Sequence, residues 1–188
     1  MKKALVTGIT GQDGAYLTQR LLELGYRVYG TYRRSSTVNF WRLAELGIEH
    51  HPELQLVEFD LSDASGVIRL LDKVQPDEVY NLAAQSFVGD SWQIPEETFL
   101  ITAVGVLKCL EAIRKYQPSC RFYNAGSSEQ FGDVQMEMQN ETHPFRPRSP
   151  YGAAKCAAHH IVKVYRESYG LYAVQGLLFN HESERRGS

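Results

Sequence analysis

Apolar residues recur along the chain at two spacings. Short runs with every or every second residue apolar read as strands, and longer stretches with apolar residues three and four apart read as helices. Lys3 to Thr7, centred on Ala4-Leu5-Val6, is the first predicted strand. Asp13 to Leu24 is the first helix, with Tyr16, Leu17, Leu21 and Leu24 on one side and Gly25 where a C-terminal glycine belongs. Arg27 to Tyr32 is strand two, and Phe40 to Leu46 a short helix broken by His51-Pro52. Leu54 to Phe59 alternates apolar and polar as strand three and ends at Asp60. Ser62 to Val74 is a helix, Glu78 to Ala84 strand four, Pro95 to Tyr116 a long helix and Arg121 to Ala125 strand five. Ser149 is the expected N-cap of a helix that starts at Pro150, runs to about Ser168 and stops at Gly170. Ala173 to Phe179 closes the series as strand six.

Strand and helix alternate without repeats, low-complexity tracts or an internal linker. The alternation predicts one α/β domain over residues 1–188, a doubly wound parallel sheet of the Rossmann type with helices on both faces. Ligands bind beyond the C-terminal strand ends of such a sheet. The loop Gly8-Ile9-Thr10-Gly11-Gln12-Asp13-Gly14, Arg33, Asp60, Ala84, Ser127 and Asn180 all fall at those ends. The loop joins strand one to the first helix with G-x-x-G-x-x-G spacing. Glycines let the backbone approach a pyrophosphate, and the helix N-terminus offers free N–H groups to it. A tight turn with no ligand is the alternative.

Composition narrows the field. With 43% hydrophobic residues the chain can build a core, and a net charge of -2 gives no nucleic-acid or anionic-membrane footprint. No apolar run reaches the ~18 residues of a membrane span. The N-terminus passes straight into a strand, so no secretory signal is expected. Cys109, Cys120 and Cys156 form neither an even disulfide set nor a metal-ligand spacing, which points to reduced thiols in a cytoplasmic protein. The pairs His50-His51 and His159-His160 read as surface or capping residues, and no metal is expected.

After strand two, where an acidic residue would hydrogen-bond a ribose 2′-hydroxyl, the chain has Arg33-Arg34-Ser35-Ser36. Guanidinium forks and hydroxyls suit a 2′-phosphate, so NADP is favoured over NAD; a solvated basic turn is the alternative. Asp60 is placed to accept from an adenine amino group and Leu61 to pack on the ring. Tyr151 and Lys155 share a helix face at i and i+4. A nearby ammonium and an oxidised nicotinamide are expected to lower the phenol from its usual ~10 and let it take a proton from a sugar hydroxyl. Tyr165 and Tyr169 repeat the spacing without lysine and read as packing residues. In Ser127-Ser128-Glu129 a hydroxyl can bond the reacting hydroxyl, and the carboxylate suits a dehydratase, which moves a proton from carbon and one to a departing hydroxyl. A capping or surface role is the alternative for Glu129.

Thr7 to Gly14, Arg33-Arg34-Ser35-Ser36, Asn81-Leu82-Ala83-Ala84-Gln85-Ser86, Ser127-Ser128-Glu129, Tyr151-Gly152-Ala153-Ala154-Lys155 and Phe179-Asn180-His181-Glu182-Ser183 together resemble the GDP-mannose 4,6-dehydratase family of extended short-chain dehydrogenase/reductases. The resemblance implies oxidation of GDP-mannose at C4, elimination of water across C5–C6 and return of hydride to C6. It implies Ser127, Glu129, Tyr151 and Lys155 as catalytic residues. It further implies that Gly8 to Gly14, Arg33, Arg34, Asp60, Leu61, Leu82 to Ser86, Lys155, His181 and Arg186 hold the cofactor. Ser86, Ser128 and Asn180 would face the substrate. It implies a homo-oligomer, dimer or tetramer, with the Arg33–Asn39 loop near a neighbouring subunit. Glu184 replaces a proline common in relatives, which is expected to loosen the loop around Arg185 and Arg186. The family continues well beyond Ser188, so the substrate domain is expected to be largely absent from this stretch. A nucleotide-sugar epimerase or reductase, or a module that only binds NADP, is the competing reading.

Overall fold

The computed structural model describes residues 1–34, 39–134 and 138–186. Six strands form one sheet: β1 (Lys3–Thr7), β2 (Arg27–Tyr32), β3 (Leu54–Glu58), β4 (Glu78–Asn81), β5 (Arg121–Ala125) and β6 (Ala173–Gly176). Their spatial order is β3-β2-β1-β4-β5-β6, and every neighbouring pair is parallel. The order reverses between β1 and β4, so connections leave those strands in opposite directions and a crevice opens at their C-terminal ends.

Successive strand residues point to opposite faces, and both faces are covered. On one, Leu5, Val79, Phe122 and Ala173 meet α3 (Ala64–Val74), α5 (Gly105–Tyr116) and α6 (Pro150–Tyr169) through Val67, Leu71, Leu110, Ile113 and Val162. On the other, Ala4, Val6 and Val28 meet Leu21 and Leu22 of α1 (Gln12–Glu23) and Leu43 of α2 (Trp41–Glu45). This two-sided burial is why the strands carry nearly unbroken apolar runs.

Several boundaries differ from the sequence expectation. β4 stops at Asn81 rather than Ala84, because the next two N–H groups, of Leu82 and Ala83, leave the ladder for Thr7 Oγ1, both at 3.1 Å. β6 stops at Gly176 rather than Phe179, and the chain beyond it holds the loop after β5 through Ser128 N–H to the Leu178 carbonyl, 2.8 Å. The stop of α2 is Gly47, not His51-Pro52: at φ +69° it takes the left-handed turn that brings Ile48 N–H back to the Leu43 carbonyl. The long helix is interrupted: α4 (Pro95–Phe99) passes through a π-turn (Leu100–Val104) before α5. The described residues between β5 and α6 include a 3₁₀ turn (Ser128–Gln130). They also hold an aromatic knot in which Phe131 lies 5.3 Å from His143 and 5.4 Å from Phe145, ring centre to centre.

Tyr165 is buried as expected and donates to Glu111 Oε1 at 2.7 Å, whereas Tyr169 is half exposed and carries the Arg114 guanidinium over its ring. Glu111 also accepts from Arg114 Nε at 2.8 Å. The Arg114 hydrogen bonds, then that of Tyr165, hold the Glu111 carboxyl down at about 2. A carboxyl depressed on folding stabilises the protein above its unfolded value and loses that contribution as pH falls through the folded one. Glu111→Gln should therefore lower the melting temperature at pH 6, with the gap closing as thermal scans move toward pH 2.

Candidate active site

The glycine loop leaves β1 at Gly8, whose φ is +73°. A Cβ there would lie 2.9 Å from Ala83 N, so only glycine lets β1 and the segment after β4 close on each other. A Cβ on Gly14 would come within 2.7 Å of Ile9 Cα, which keeps α1 tight against the loop. Gly11, at the N-cap of α1, supplies no side chain to the first-turn N–H groups. They and the positive end of the helix dipole face the crevice, an arrangement that suits a pyrophosphate. The Ile9 side chain is fully buried in the core, so only its backbone faces the loop.

One lobe of the crevice, about 410 Å³, is lined by Gly8, Thr10, Gly11, Asp60, Leu61, Leu82, Ala83, Ala84 and Ser86, all anticipated. Arg33 stands at its mouth, 3.5 Å from Glu97. Arg34 does not line it; with Arg69 and Lys73 it lines an adjoining cleft that shares Arg33, Phe59 and Asp60 with the lobe. Ser35 and Ser36 lie outside the described residues. Gln85 lines neither lobe, and its Oε1 is buried without a partner among the described residues. The π-turn brings Ile101 to the lobe wall. Arg42, unanticipated, also lines it: Nη1 donates to the Thr10 carbonyl at 2.9 Å and Nε to the Arg185 carbonyl at 2.7 Å. The sequence carries no mark of this role, since α2 reaches the loop only through the tertiary fold.

The second lobe, about 350 Å³, shares Gly8, Gly11, Leu82, Ala84 and Ser86 with the first and adds Gln12, Asp13, Gly14, Ser127, Tyr151, Lys155, Asn180, His181 and Arg186. Tyr151 and Lys155 sit one turn apart near the start of α6, which Ser149 Oγ caps by accepting Gly152 N–H at 3.0 Å. Lys155 is 5% exposed and donates to the Ala125 carbonyl at 2.6 Å. Burial pulls its ammonium down to about 8. Its Nζ lies 5.7 Å from the Tyr151 ring centre.

Lys155 alone does not lower the Tyr151 phenol. Burial raises its phenol; a hydrogen bond with the Ser127 side chain opposes this, and the Glu129 charge adds to the rise. With Lys155 committed to a carbonyl, the phenol stays protonated at neutral pH unless further positive charge enters the cleft. Ser127 caps the 3₁₀ turn, its Oγ accepting Glu129 N–H at 3.2 Å and its own N–H going to Gln130 Oε1 at 3.1 Å. Glu129 is exposed beside the lobe, and Ser128, anticipated at the substrate, lines neither lobe.

The segment after β6 folds back over α1. Ser183 Oγ donates to Gln12 Oε1 at 2.6 Å, and Arg185 Nη1 to Tyr16 Oη at 2.9 Å. Arg186 donates to the His181 carbonyl at 3.1 Å and pairs with Glu182. Glu184 therefore does not leave this run loose, contrary to expectation; the neighbouring side chains tie it down. His181 places Nδ1 2.8 Å from the Phe179 carbonyl and Nε2 2.7 Å from Asp13 Oδ1. Both partners are acceptors, so both contacts are hydrogen bonds only when the ring is the imidazolium.

The parallel doubly wound sheet, the glycine loop and the Ser127–Tyr151–Lys155 set at the strand ends define a dinucleotide-binding domain of the short-chain dehydrogenase/reductase class. A family model described as GDP-mannose 4,6 dehydratase matches residues 5–188. GDP-mannose 4,6 dehydratase 1 of Arabidopsis thaliana is 54% identical over 99% of the chain and 54% of the relative. The human GDP-mannose 4,6 dehydratase is 48% identical over 98% of the chain and 51% of the relative. Among solved structures, the Bordetella bronchiseptica enzyme WbmH in complex with NAD+ superposes with a TM-score of 0.79 at 30% identity, over 96% of the chain and 56% of that enzyme. The dTDP-glucose 4,6-dehydratase DesIV from Streptomyces venezuelae, with NAD bound, gives 0.79 at 25% identity over 90% of the chain and 52% of that structure. The chain belongs to the GDP-mannose 4,6-dehydratase family, and it spans about half the length of the curated relatives it matches.

His181 offers a direct check of the loop-to-α1 contact. The Phe179 carbonyl, then Asp13, raise its pKa above 6.5. A histidine raised on folding stabilises below its unfolded value, and that contribution disappears as pH rises through the folded one. Its NMR titration midpoint should lie above 6.5 and fall in Asp13→Asn, and a midpoint unchanged by that substitution would exclude the ion pair.

Proposed function

We propose that the protein is a GDP-mannose 4,6-dehydratase that uses NADP and forms GDP-4-dehydro-6-deoxy-D-mannose. The observation that carries the reading is a fourth reactive group beside an otherwise ordinary dehydrogenase set: Glu129 sits in the turn that Ser127 caps, and its charge acts on the Tyr151 phenol. An epimerase or simple reductase has no use for it.

The residues fit the cofactor. Gly8 and Gly14 let the loop close on the Leu82–Ala83 backbone and on α1, Gly11 puts no side chain at the α1 N-terminus, Arg33 and Arg42 supply positive charge at the adenosine lobe, and no acidic residue follows β2 to repel a 2′-phosphate. Arg34 lines the adjoining cleft rather than this lobe, so within the lobe the 2′-phosphate reading rests on Arg33 and Arg42. His181 and Arg186 flank the other lobe, and Asn180 faces the sugar nucleotide. When bound, the nicotinamide supplies the chemistry that the side chains lack, taking hydride from C4 and giving it back at C6, with no net redox change.

Tyr151, hydrogen-bonded to Ser127, takes the proton of the 4-hydroxyl. The resulting ketone acidifies C5–H, and Glu129 takes that proton. Glu129 delivers a proton to the C6 hydroxyl, which departs as water; a proton returned to C5 completes the balance. General acid–base steps of this kind supply roughly 10²–10⁴-fold each. Lys155, held against the Ala125 carbonyl, fixes the helix turn that carries Tyr151.

The partner in solution is a second copy of the chain. Phe99, Leu100 and Val104 on the α4–α5 helix and Val164 on α6 are exposed apolar side chains, which favours a homo-oligomer. Three unpaired cysteines support a reducing, cytoplasmic setting. Among the described residues no helix is long and apolar enough to cross a membrane.

Incubated with GDP-mannose and NADP, the protein should yield a 4-keto product lighter by one water. An epimerised sugar with no loss of water would overturn the assignment. Glu129→Gln should keep dinucleotide affinity while turnover falls at least ~100-fold; near-normal turnover would remove Glu129 from the mechanism. Calorimetric titration should show NADP binding more tightly than NAD by about tenfold or more, and the opposite order would reject NADP.

A further inference from the structure

Near the C-terminal edge of the sheet, on the face that packs against α3, α5 and α6, four polar side chains stand in register. They are Thr7 on β1, Asn81 on β4, Asn124 on β5 and Gln175 on β6. The next row on that face, Leu5, Val79, Phe122 and Ala173, is apolar core. Thr7 Oγ1 donates to Asn81 Oδ1 at 2.7 Å, Asn81 Nδ2 to Asn124 Oδ1 at 2.8 Å and Asn124 Nδ2 to Gln175 Oε1 at 2.9 Å. Gln175 Nε2 then donates to Gln130 Oε1 at 3.0 Å. Thr7, Asn81, Asn124 and Gln130 are all buried.

Both ends fix the direction of the row. Thr7 Oγ1 already accepts the N–H groups of Leu82 and Ala83, so its own proton goes to an acceptor. Gln130 Oε1 already accepts Ser127 N–H, so Gln175 must present its amide nitrogen. Reversing any amide between them sets donor against donor or acceptor against acceptor and leaves buried groups unpaired. The side chains therefore have one consistent arrangement.

Gln130 is where the row meets the proposed reacting residues. Its side-chain oxygen accepts the Ser127 N–H at 3.1 Å, and Ser127 and Tyr151 line the same lobe, where the Ser127 side chain acts to lower the phenol. Its Nε2 has no partner among the described residues. Volume alone is thus a poor account of the amide, since a methionine would fill the space without an unpaired nitrogen; the oxygen is the part in use.

We propose that Gln130 is a positioning residue: anchored through Gln175, Asn124 and Asn81 to Thr7, it holds Ser127 against Tyr151 and ties that pair to the β1–β4 seam carrying the glycine loop. The inference rests on Tyr151 and Ser127 being the reacting pair, but its test needs neither turnover nor nucleotide.

The test is the titration of Tyr151, followed by NMR of ring-labelled tyrosine in the full chain, with Tyr151→Phe identifying the resonance. The Ser127 hydrogen bond lowers the phenol, so losing it moves the midpoint up. Ser127→Ala sets the size of that move. Gln130→Met should shift the midpoint in the same direction by about half a pH unit or more, and Gln175→Met by less. A role in packing alone would lower the melting temperature and leave the midpoint in place. A folded Gln130→Met with the parental midpoint overturns the proposal, as does a midpoint that Ser127→Ala fails to move. If Gln130→Met does not fold, Gln175→Met decides by the same criterion, because Gln175 is only partly buried. Failure of the unaltered protein to dehydrate GDP-mannose would sink the functional reading and leave this measurement standing.

Discussion

The contact on which the crevice depends is the close approach of Gly8 to the Leu82–Ala83 backbone. No side chain fits between them. Thr7 Oγ1, just before Gly8, collects the two N–H groups that β4 releases there. This joins β1 and β4 at the point where the strand order reverses and stops β4 from running on. With the seam closed, α1 starts directly over it and turns its N-terminus toward the open side. The two lobes share the same floor, Gly8, Gly11, Leu82, Ala84 and Ser86. A ligand long enough to occupy both must cross the seam, which is the geometry of a dinucleotide.

Burial sets the chemistry at the far lobe. Lys155 gives its hydrogen bond to a main-chain carbonyl and its ammonium falls to about 8, while the Tyr151 phenol rises. Both shifts favour the neutral forms. A positive charge beside Tyr151 would favour the phenolate. This links the proposed base to an oxidised cofactor: the side chain becomes effective when the ligand that must accept hydride is in place.

Much of this was legible in the sequence. β1, β2 and β5 begin and end where their apolar runs do, because turn residues flank them on both sides. β4 and β6 were overextended for one shared reason. Leu82-Ala83-Ala84 and Leu177-Leu178-Phe179 remain apolar after the ladder hydrogen bonds stop, and hydrophobicity does not report where an N–H goes. The i,i+4 spacing put Tyr151 and Lys155 on one face but could not show that Nζ turns to Ala125. Arg33 and Arg34 are adjacent in sequence and share one cleft, but only Arg33 also lines the adenosine lobe. Arg42 and Gln130 left no local signal; each acts on a backbone group brought near by the fold. The Asn81, Asn124 and Gln175 row was hidden because its members are 43 and 51 residues apart.

The central claim is that one site removes hydride from C4 of a hexose and returns it to C6 of the same molecule. GDP-mannose carrying deuterium at C4, turned over with unlabelled NADP in excess, tests it most directly. The account predicts deuterium at C6 of the 4-keto product, with none in the free cofactor. Deuterium lost to the cofactor pool, or kept at C4 of an epimerised sugar, would contradict it.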